Sequence, residues 1–200
     1  MRPTLSPQFI ASHKRGRIID ALAELTAEQG YEATKISDVV KRAAVARKTL
    51  YDNFTGKEDV FLRAFDVAHE EVRGRVEEAC EGAGDDWEAA LDAGLEALLA
   101  YVAEQPALAH LCLVEARAAT ADSAARYDKA IEGFIEMARR SLPRDKRLPD
   151  TTEEWLVGGV ASVLIQQMRS GGAERAPELL PELRKFILNP YIGVGLAQGA

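Results

Sequence analysis

The chain has 200 residues, of which 47% are apolar, 28% charged and 6% aromatic, an ordinary composition for a globular protein long enough to bury its own core. Few aromatics and abundant alanine point to an all-α fold rather than a β-sandwich. The net charge is −7, yet residues 1–57 hold 10 Lys/Arg against 6 Asp/Glu, a net +4, and the remainder holds 15 against 26, a net −11. A basic piece on an acidic body is compatible with nucleic-acid binding, because charges more than ~8–10 Å apart are largely screened from one another. Cys80 and Cys112 show no CxxC spacing and no paired histidine, which argues against a zinc site, any other metal site and a disulfide framework. The N-terminus shows no apolar signal-peptide core, and the longest mostly apolar run, Trp155 to Ile165, is too short to span a bilayer. The expectation is a cytoplasmic protein with no membrane partner and no cofactor.

Proline is absent between positions 8 and 105, and the apolar residues there keep helical spacing. A first helix is expected from about Lys14 to Gln29, burying Ile18, Leu22 and Leu25 and closing at Gly30. A second covers about Ile36 to Ala43, and a short third about Arg47 to Asn53 with Leu50 inward. After Gly56 a long fourth helix runs from Lys57 to about Ala79, with Phe61, Ala64, Phe65, Ala68, Val72 and Val76 on one face. Further helices are expected over Asp86–Glu104, Pro106–Ala119, Asp122–Ser141 and Thr151–Ser170, with a charged loop at Pro143–Asp150. Gly171-Gly172 ends the eighth, and Pro177 opens a ninth to about Leu188.

The second and third helices are separated only by Ala44-Val45-Ala46, the spacing of a helix-turn-helix. The third helix opens with Arg47 and Lys48, although a cation at a helix N-terminus opposes the dipole by a few tenths of a kcal/mol or more. Such placement makes sense where an anion approaches that end. A solvated basic turn between core helices accounts for the same residues equally well on composition alone.

The surrounding motifs are more specific. They are Gly30-Tyr31, then Thr34, then Ile36-Ser37-Asp38-Val39-Val40, then Thr49-Leu50-Tyr51-Asp52-Asn53-Phe54, and finally Lys57-Glu58. In this order and spacing, Gly16 to Phe65 resembles the TetR family, the tetracycline-repressor-like bacterial regulators. The Pro181 to Pro190-Tyr191 ending is similar to that family's body, more weakly. The resemblance implies a DNA-binding domain over residues 12–72, with its helix-turn-helix at about 35–54, and a regulatory, dimerising body over 73–193. It implies a transcriptional regulator, usually a repressor, that binds a pseudo-palindromic double-stranded DNA operator as a homodimer and answers a small-molecule effector. The rival reading is a helical small-molecule-binding protein or enzyme with a degenerate headpiece.

By that resemblance Tyr51 and Lys57 contact phosphate, Lys48 and Thr49 lie nearest the groove, and Asn53 is a further candidate. Lys14, Arg15 and Arg17 reach flanking phosphates or the minor groove, and Lys35 and Arg47 face phosphate. Three departures stand out. Ala44 replaces the family's usual turn glycine, so the turn either avoids a left-handed conformation or bears strain. Ala46 replaces a serine N-cap, a loss of roughly 0.5–2 kcal/mol, and Lys35 has no acceptor with which to cap the second helix.

Enzyme signatures are lacking. His13, His69 and His110 lie on separate segments, and no Gly-x-Ser-x-Gly, P-loop or dinucleotide fingerprint occurs. No catalytic residue is therefore assigned. In the body the resemblance implies an apolar pocket, although the same inward faces also fit a solid core. The expected lining is Phe65, Trp87, Leu91, Leu95, Leu111, Cys112, Phe134, Met137 and Met168, with Glu115, Arg117 and Gln166 as polar anchors. Cys112 and the tryptophans Trp87 and Trp155 also read as ordinary packing residues. The dimer is expected through Leu156, Gly159, Val160 and Val163 of the eighth helix and Leu183, Phe186 and Ile187 of the ninth, where small residues allow close approach. The fourth helix carries no glycine between Lys57 and Arg73, so a tilt at its body end is expected to move the headpiece.

Overall fold

A computed structural model describes residues 7–143 and 148–193, and the described residues form helices and turns without a strand. Helix α1 spans Pro7–Gln29, starting well before the expected Lys14. A proline suits a first helical turn because the missing N–H has no intrahelical partner there. Gly30, at φ +81°, ends α1 and donates its N–H to the Thr26 carbonyl at 2.9 Å. Helices α2 (Ile36–Arg42) and α3 (Arg47–Tyr51) follow, each shorter by a residue or two than periodicity suggested. Helix α4 runs Lys57–Gly82 and α5 Trp87–Glu104, the latter capped by the Asp86 carboxylate, which accepts from the Glu88 and Ala89 amides.

The expected sixth helix is three pieces. Helix α6 (Pro106–His110) passes into a π-helical turn, Leu111–Glu115, and then into α7, Ala116–Ala119. The wide turn shifts the helical register by one residue, so Leu111 and Glu115 look toward the headpiece while Cys112 and Leu113 look into the body. Helix α8 (Ala121–Ser141) starts with a reciprocal Thr120–Ser123 capping box. Helix α9 spans Thr152–Arg169. The expected start at Pro177 is wrong: a 3-10 segment, Ala173–Leu179, contains Pro177, and α10 begins at Leu180 and runs to Gly193.

Two packed cores organise the chain. In the first, Ile18 and Leu22 of α1, Val39 of α2, Leu50 of α3 and Phe61 of α4 pack together, continuous with Leu108, Leu111 and Tyr127 of the body. The second joins Leu95, Leu99 and Val102 of α5 to Leu156, Val160 and Leu164 of α9 and to Leu183 and Ile187 of α10. Arg184 fastens α10 to α5 through Asp92 at 2.6 Å and Glu88 at 3.2 Å. Leu111 therefore belongs to the core that joins headpiece and body, not to a cavity wall. Leu156, Val160, Leu183 and Ile187 are likewise buried within their own chain, because α10 turns an apolar stripe onto α5 and α9 turns one inward against α8 and the π-helical turn. What remains exposed on those helices is Trp155, Val163 and Phe186. Trp155 is 64% accessible, so it is not the interior packing anchor its residue type suggested. No single helix among the described residues is long and apolar enough to cross a membrane.

Candidate DNA interface and effector cavity

The turn between α2 and α3 bears the strain that its sequence raised as one alternative. Ala44 sits at φ +48°, a left-handed conformation costing a non-glycine residue about 1–2 kcal/mol. Two features hold it there. The Ala44 N–H donates to the Lys41 carbonyl at 3.2 Å, and the Arg17 guanidinium donates to both the Ala43 and Ala44 carbonyls, the latter at 3.1 Å. Arg17 is thus committed to the turn rather than extended toward solvent. Neither Lys35 nor Ala46 provides a side-chain cap, as their chemistry dictated.

With Leu50 buried and Ala46 at the helix entrance, α3 turns Arg47, Lys48 and Tyr51 outward, and Lys35, just before α2, is also exposed. Tyr51 is 49% accessible, and the Arg47 guanidinium lies 5.7 Å from its ring centre. Thr49 is half-buried. Asn53 folds back, its amide donating to the Thr49 carbonyl at 2.7 Å, so it closes α3 instead of facing outward. Lys14 is half-buried, whereas Arg15 is exposed and packs over Phe54 at 5.6 Å. Lys57 is held inward too. Its ammonium donates to the Tyr31 carbonyl at 2.9 Å and lies 4.0 Å above the Tyr31 ring.

Tyr31 is the junction of headpiece and body. Its ring is buried edge-on against Phe61 at 4.9 Å, and its backbone N–H donates to Glu115 Oε2 at 2.8 Å. Burial, and then the nearby Glu58 and Glu32 carboxylates, raise its phenol above the usual range. Glu115 is therefore a structural acceptor for the headpiece and not an anchor in the cavity. Arg117 is likewise placed away from the cavity, over the Tyr127 ring at 5.4 Å and 3.9 Å from Asp128.

Among the described residues, two apolar spaces abut in the body. The larger, about 180 Å³, lies among α4, α5, α8, α9 and α10, and Trp87, Leu91, Leu95, Phe134 and Met137 line it as expected. Gln166 is exposed and Met168 is packed in the second core, so neither faces it. Sequence reasoning missed Val76, Cys80, Gly94, Leu98, Leu142 and Val157 among its walls. Gly94 is the one wall residue with a detectable signal, a glycine inside a strong helical pattern. An added Cβ there would lie 2.7 Å from Cys80 Sγ. The smaller space, about 80 Å³, is lined by Phe65 and Cys112 and also by His69, Tyr101 and Tyr127. Burial pushes the Cys112 thiol up to about 12, with the Asp66 carboxylate adding to the shift, so it is no nucleophile. His69 lies between Phe65 and Phe134, with ring centres 6.1 and 6.0 Å away, and burial keeps it below the ordinary imidazole range.

Residues 18–64 match the model of the bacterial regulatory proteins, tetR family. Over these residues the chain is similar to the TetR family. The fatty acid metabolism regulator protein of Bacillus subtilis is 39% identical over 62 residues, 31% of this chain and 32% of that protein. The chain thus spans about a third of the length of the curated relatives it matches. Across nearly the whole chain the TetR-family likeness is one of fold. The fatty acid degradation regulator FadR of Bacillus halodurans superposes with a TM-score of 0.74 at 19% identity, covering 93% of this chain and 97% of that one. FadR of Bacillus subtilis, solved with stearoyl-CoA, gives 0.68 at 18% identity, covering 86% and 96%. The matched residues run from α1 into α4, so α2 and α3 lie within the matched segment.

Proposed function

We propose that this chain is a DNA-binding transcription regulator, a repressor that binds a pseudo-palindromic operator as a homodimer and releases it when a largely apolar molecule fills the body. The observation that carries this reading is the outward set of Lys35, Arg47, Lys48 and Tyr51 on a TetR-type helix-turn-helix whose Val39, Ala43, Leu50 and Phe54 are buried. Guanidinium, ammonium and phenol groups on an exposed short helix suit phosphate and base-edge contacts in the major groove. All three headpiece helices form despite the missing caps, which favours a working headpiece over a degenerate one. A regulator of transcription works beside the chromosome, in a bacterium the cytoplasm, and needs no catalytic group of its own.

Two half-sites about one helical turn apart, ~34–36 Å, require two headpieces held by a two-fold body. The exposed face of α9 and α10 supports that role: Trp155, Val163 and Phe186 are accessible, and Gly158 and Ser162 between them are small. The domain division follows as proposed, with residues 12–72 reading DNA and 73–193 sensing and pairing. Two relatives named for fatty acid regulation, and a stearoyl-CoA complex among the similar folds, support an acyl chain as the effector class.

The test is a gel-shift titration of the chain on DNA from upstream of its own gene. Lys48→Ala is expected to cost ~1–3 kcal/mol and to change base preference, and Tyr51→Phe to weaken all sequences alike. The log–log salt slope is expected at about −0.9 per phosphate neutralised. No shift on any upstream fragment, or a Lys48→Ala variant that binds unchanged, would refute the reading. Sedimentation that finds a monomer at micromolar concentration would refute the dimer.

A further inference from the structure

The wall of the larger body space offers a ligand almost no hydrogen bond. Among the described residues no charged side chain lines it, and neither does a histidine, tyrosine, asparagine or glutamine. The buried side-chain atoms left without a partner among those residues are Thr26 Oγ1, His69 Nε2, the Tyr101 hydroxyl and His110 Nδ1, and all belong to residues outside that wall. On α5, Glu88 and Asp92 flank Leu91 in sequence, but Arg184 takes both carboxylates. The one thiol of the wall is also engaged. An added Cβ at Gly94 would lie 2.7 Å from Cys80 Sγ, so the glycine lets the sulfur lie against α5, where it donates to the Ala90 carbonyl at 3.4 Å. Trp87 and Ser141, the remaining hydrogen-bonding side chains, stand half-buried at the first residue of α5 and the last of α8. The rest is aliphatic, phenyl and thioether, as at Leu95, Phe134 and Met137.

A hydroxyl or carbonyl brought from water into such a space gives up its hydrogen bonds and finds none in return, and an anion loses more. An apolar cavity of about 150 Å³ stays dry and takes benzene. At about 180 Å³, this space has room for roughly one dimethylated benzene ring or an alkyl chain of like volume. We propose that the larger space is a site for hydrocarbon alone, a ligand or ligand portion of that size with no polar atom inside the wall. This rests on the effector reading above and narrows it: what enters is a free hydrocarbon, or the end of an acyl chain whose head stays outside. Selection is by volume and by the cost of stripping water from any polar group, and no side chain reads a head group within the space.

The test uses the full-length chain without DNA, with p-xylene and p-cresol as a pair of like shape that differs by a hydroxyl in place of a methyl. Headspace partitioning serves the first and calorimetry the second. p-Xylene is expected to bind, and p-cresol to bind more weakly by the factor that separates their cyclohexane–water partition coefficients, within about threefold. Met137→Gln, of similar length, gives the hydroxyl a partner and is expected to narrow that gap about tenfold. Leu91→Trp reduces the volume and is expected to weaken p-xylene about tenfold or more. Palmitoyl-coenzyme A in competition separates the two sources: displacement of p-xylene assigns the space to an acyl chain end, and no displacement to a free hydrocarbon. Three results overturn the proposal: no binding of p-xylene up to its solubility limit, p-cresol binding more than about tenfold tighter than its partition predicts, or p-xylene affinity and the p-xylene to p-cresol ratio both unchanged by the two variants. Because binding is measured without DNA, its failure is distinct from failure of the regulator reading, which the gel shift with and without p-xylene measures.

Discussion

Replacing Glu115 by alanine isolates the joint between headpiece and body. Its carboxylate is the acceptor for the Tyr31 N–H at 2.8 Å, across 84 residues of sequence, at the end of the π-helical turn. Tyr31 is itself 6% accessible, so water replaces the lost acceptor poorly. A hydrogen bond to a charged group contributes about 1.5–3 kcal/mol, and an abandoned buried donor costs about 1–3 kcal/mol. Glu115→Ala is therefore expected to lower the unfolding free energy by ~1.5–3 kcal/mol. Glu115→Gln, which keeps an oxygen at the same reach without the charge, is expected to lose about half as much. Urea unfolding at constant m measures both, and hydrogen exchange at the Tyr31 amide reports the bond itself. Because Leu113 of the same turn lines both body spaces, Glu115→Ala is also expected to shrink the effector's influence on operator affinity. An alanine variant within ~0.5 kcal/mol of wild type, with unchanged Tyr31 exchange, would show that the bond does not join the two parts.

Other perturbations separate structural residues from DNA-facing ones. Arg17→Ala frees the Ala43 and Ala44 carbonyls, so it is expected to destabilise the headpiece by ~1–2 kcal/mol in denaturant melts even without DNA, whereas Arg47→Ala is expected to change operator affinity with stability within ~0.5 kcal/mol. Ala46→Ser supplies the missing N-cap of α3 and is expected to add about 0.5–2 kcal/mol, read as a higher melting temperature. His69 and His110 are both held below their ordinary value by burial. Arg73 reinforces the effect at His69 against Asp66, and Arg169 reinforces it at His110 against Glu115. Depressed histidines contribute stability above their unfolded value of about 6.5 that is lost as pH falls through the folded values. The urea midpoint should therefore drop below pH 6.5, and His69→Gln with His110→Gln should flatten that slope. Leu183→Glu buries a charge in the second core, so loss of folding is expected, while Phe186→Glu on the exposed face yields a folded monomer by sedimentation.

The sequence by itself determined the all-α class, the approximate helix order and the helix-turn-helix, because helical periodicity, glycine stops and the Thr-Leu-Tyr-x-x-Phe spacing are local properties of the chain. It also located the exposed face of α3, since a five-residue helix with one buried leucine leaves the other side chains little choice. What side chains do across the fold was decided only in three dimensions. Lys57, Asn53 and Arg17 carry the chemistry of DNA contacts, yet each donates to a backbone carbonyl of its own chain. Leu183 and Phe186 lie three apart on one apolar helix, and only the packing of α10 on α5 and α9 makes one core and the other surface. The π-helical turn has no periodic signature, because one extra residue in a helix leaves the hydrophobic pattern nearly intact while it reassigns which side chains face the headpiece and which face the cavity. The cavity itself is space left where inward faces fail to interdigitate, a property of the distances between helices rather than of any residue in them.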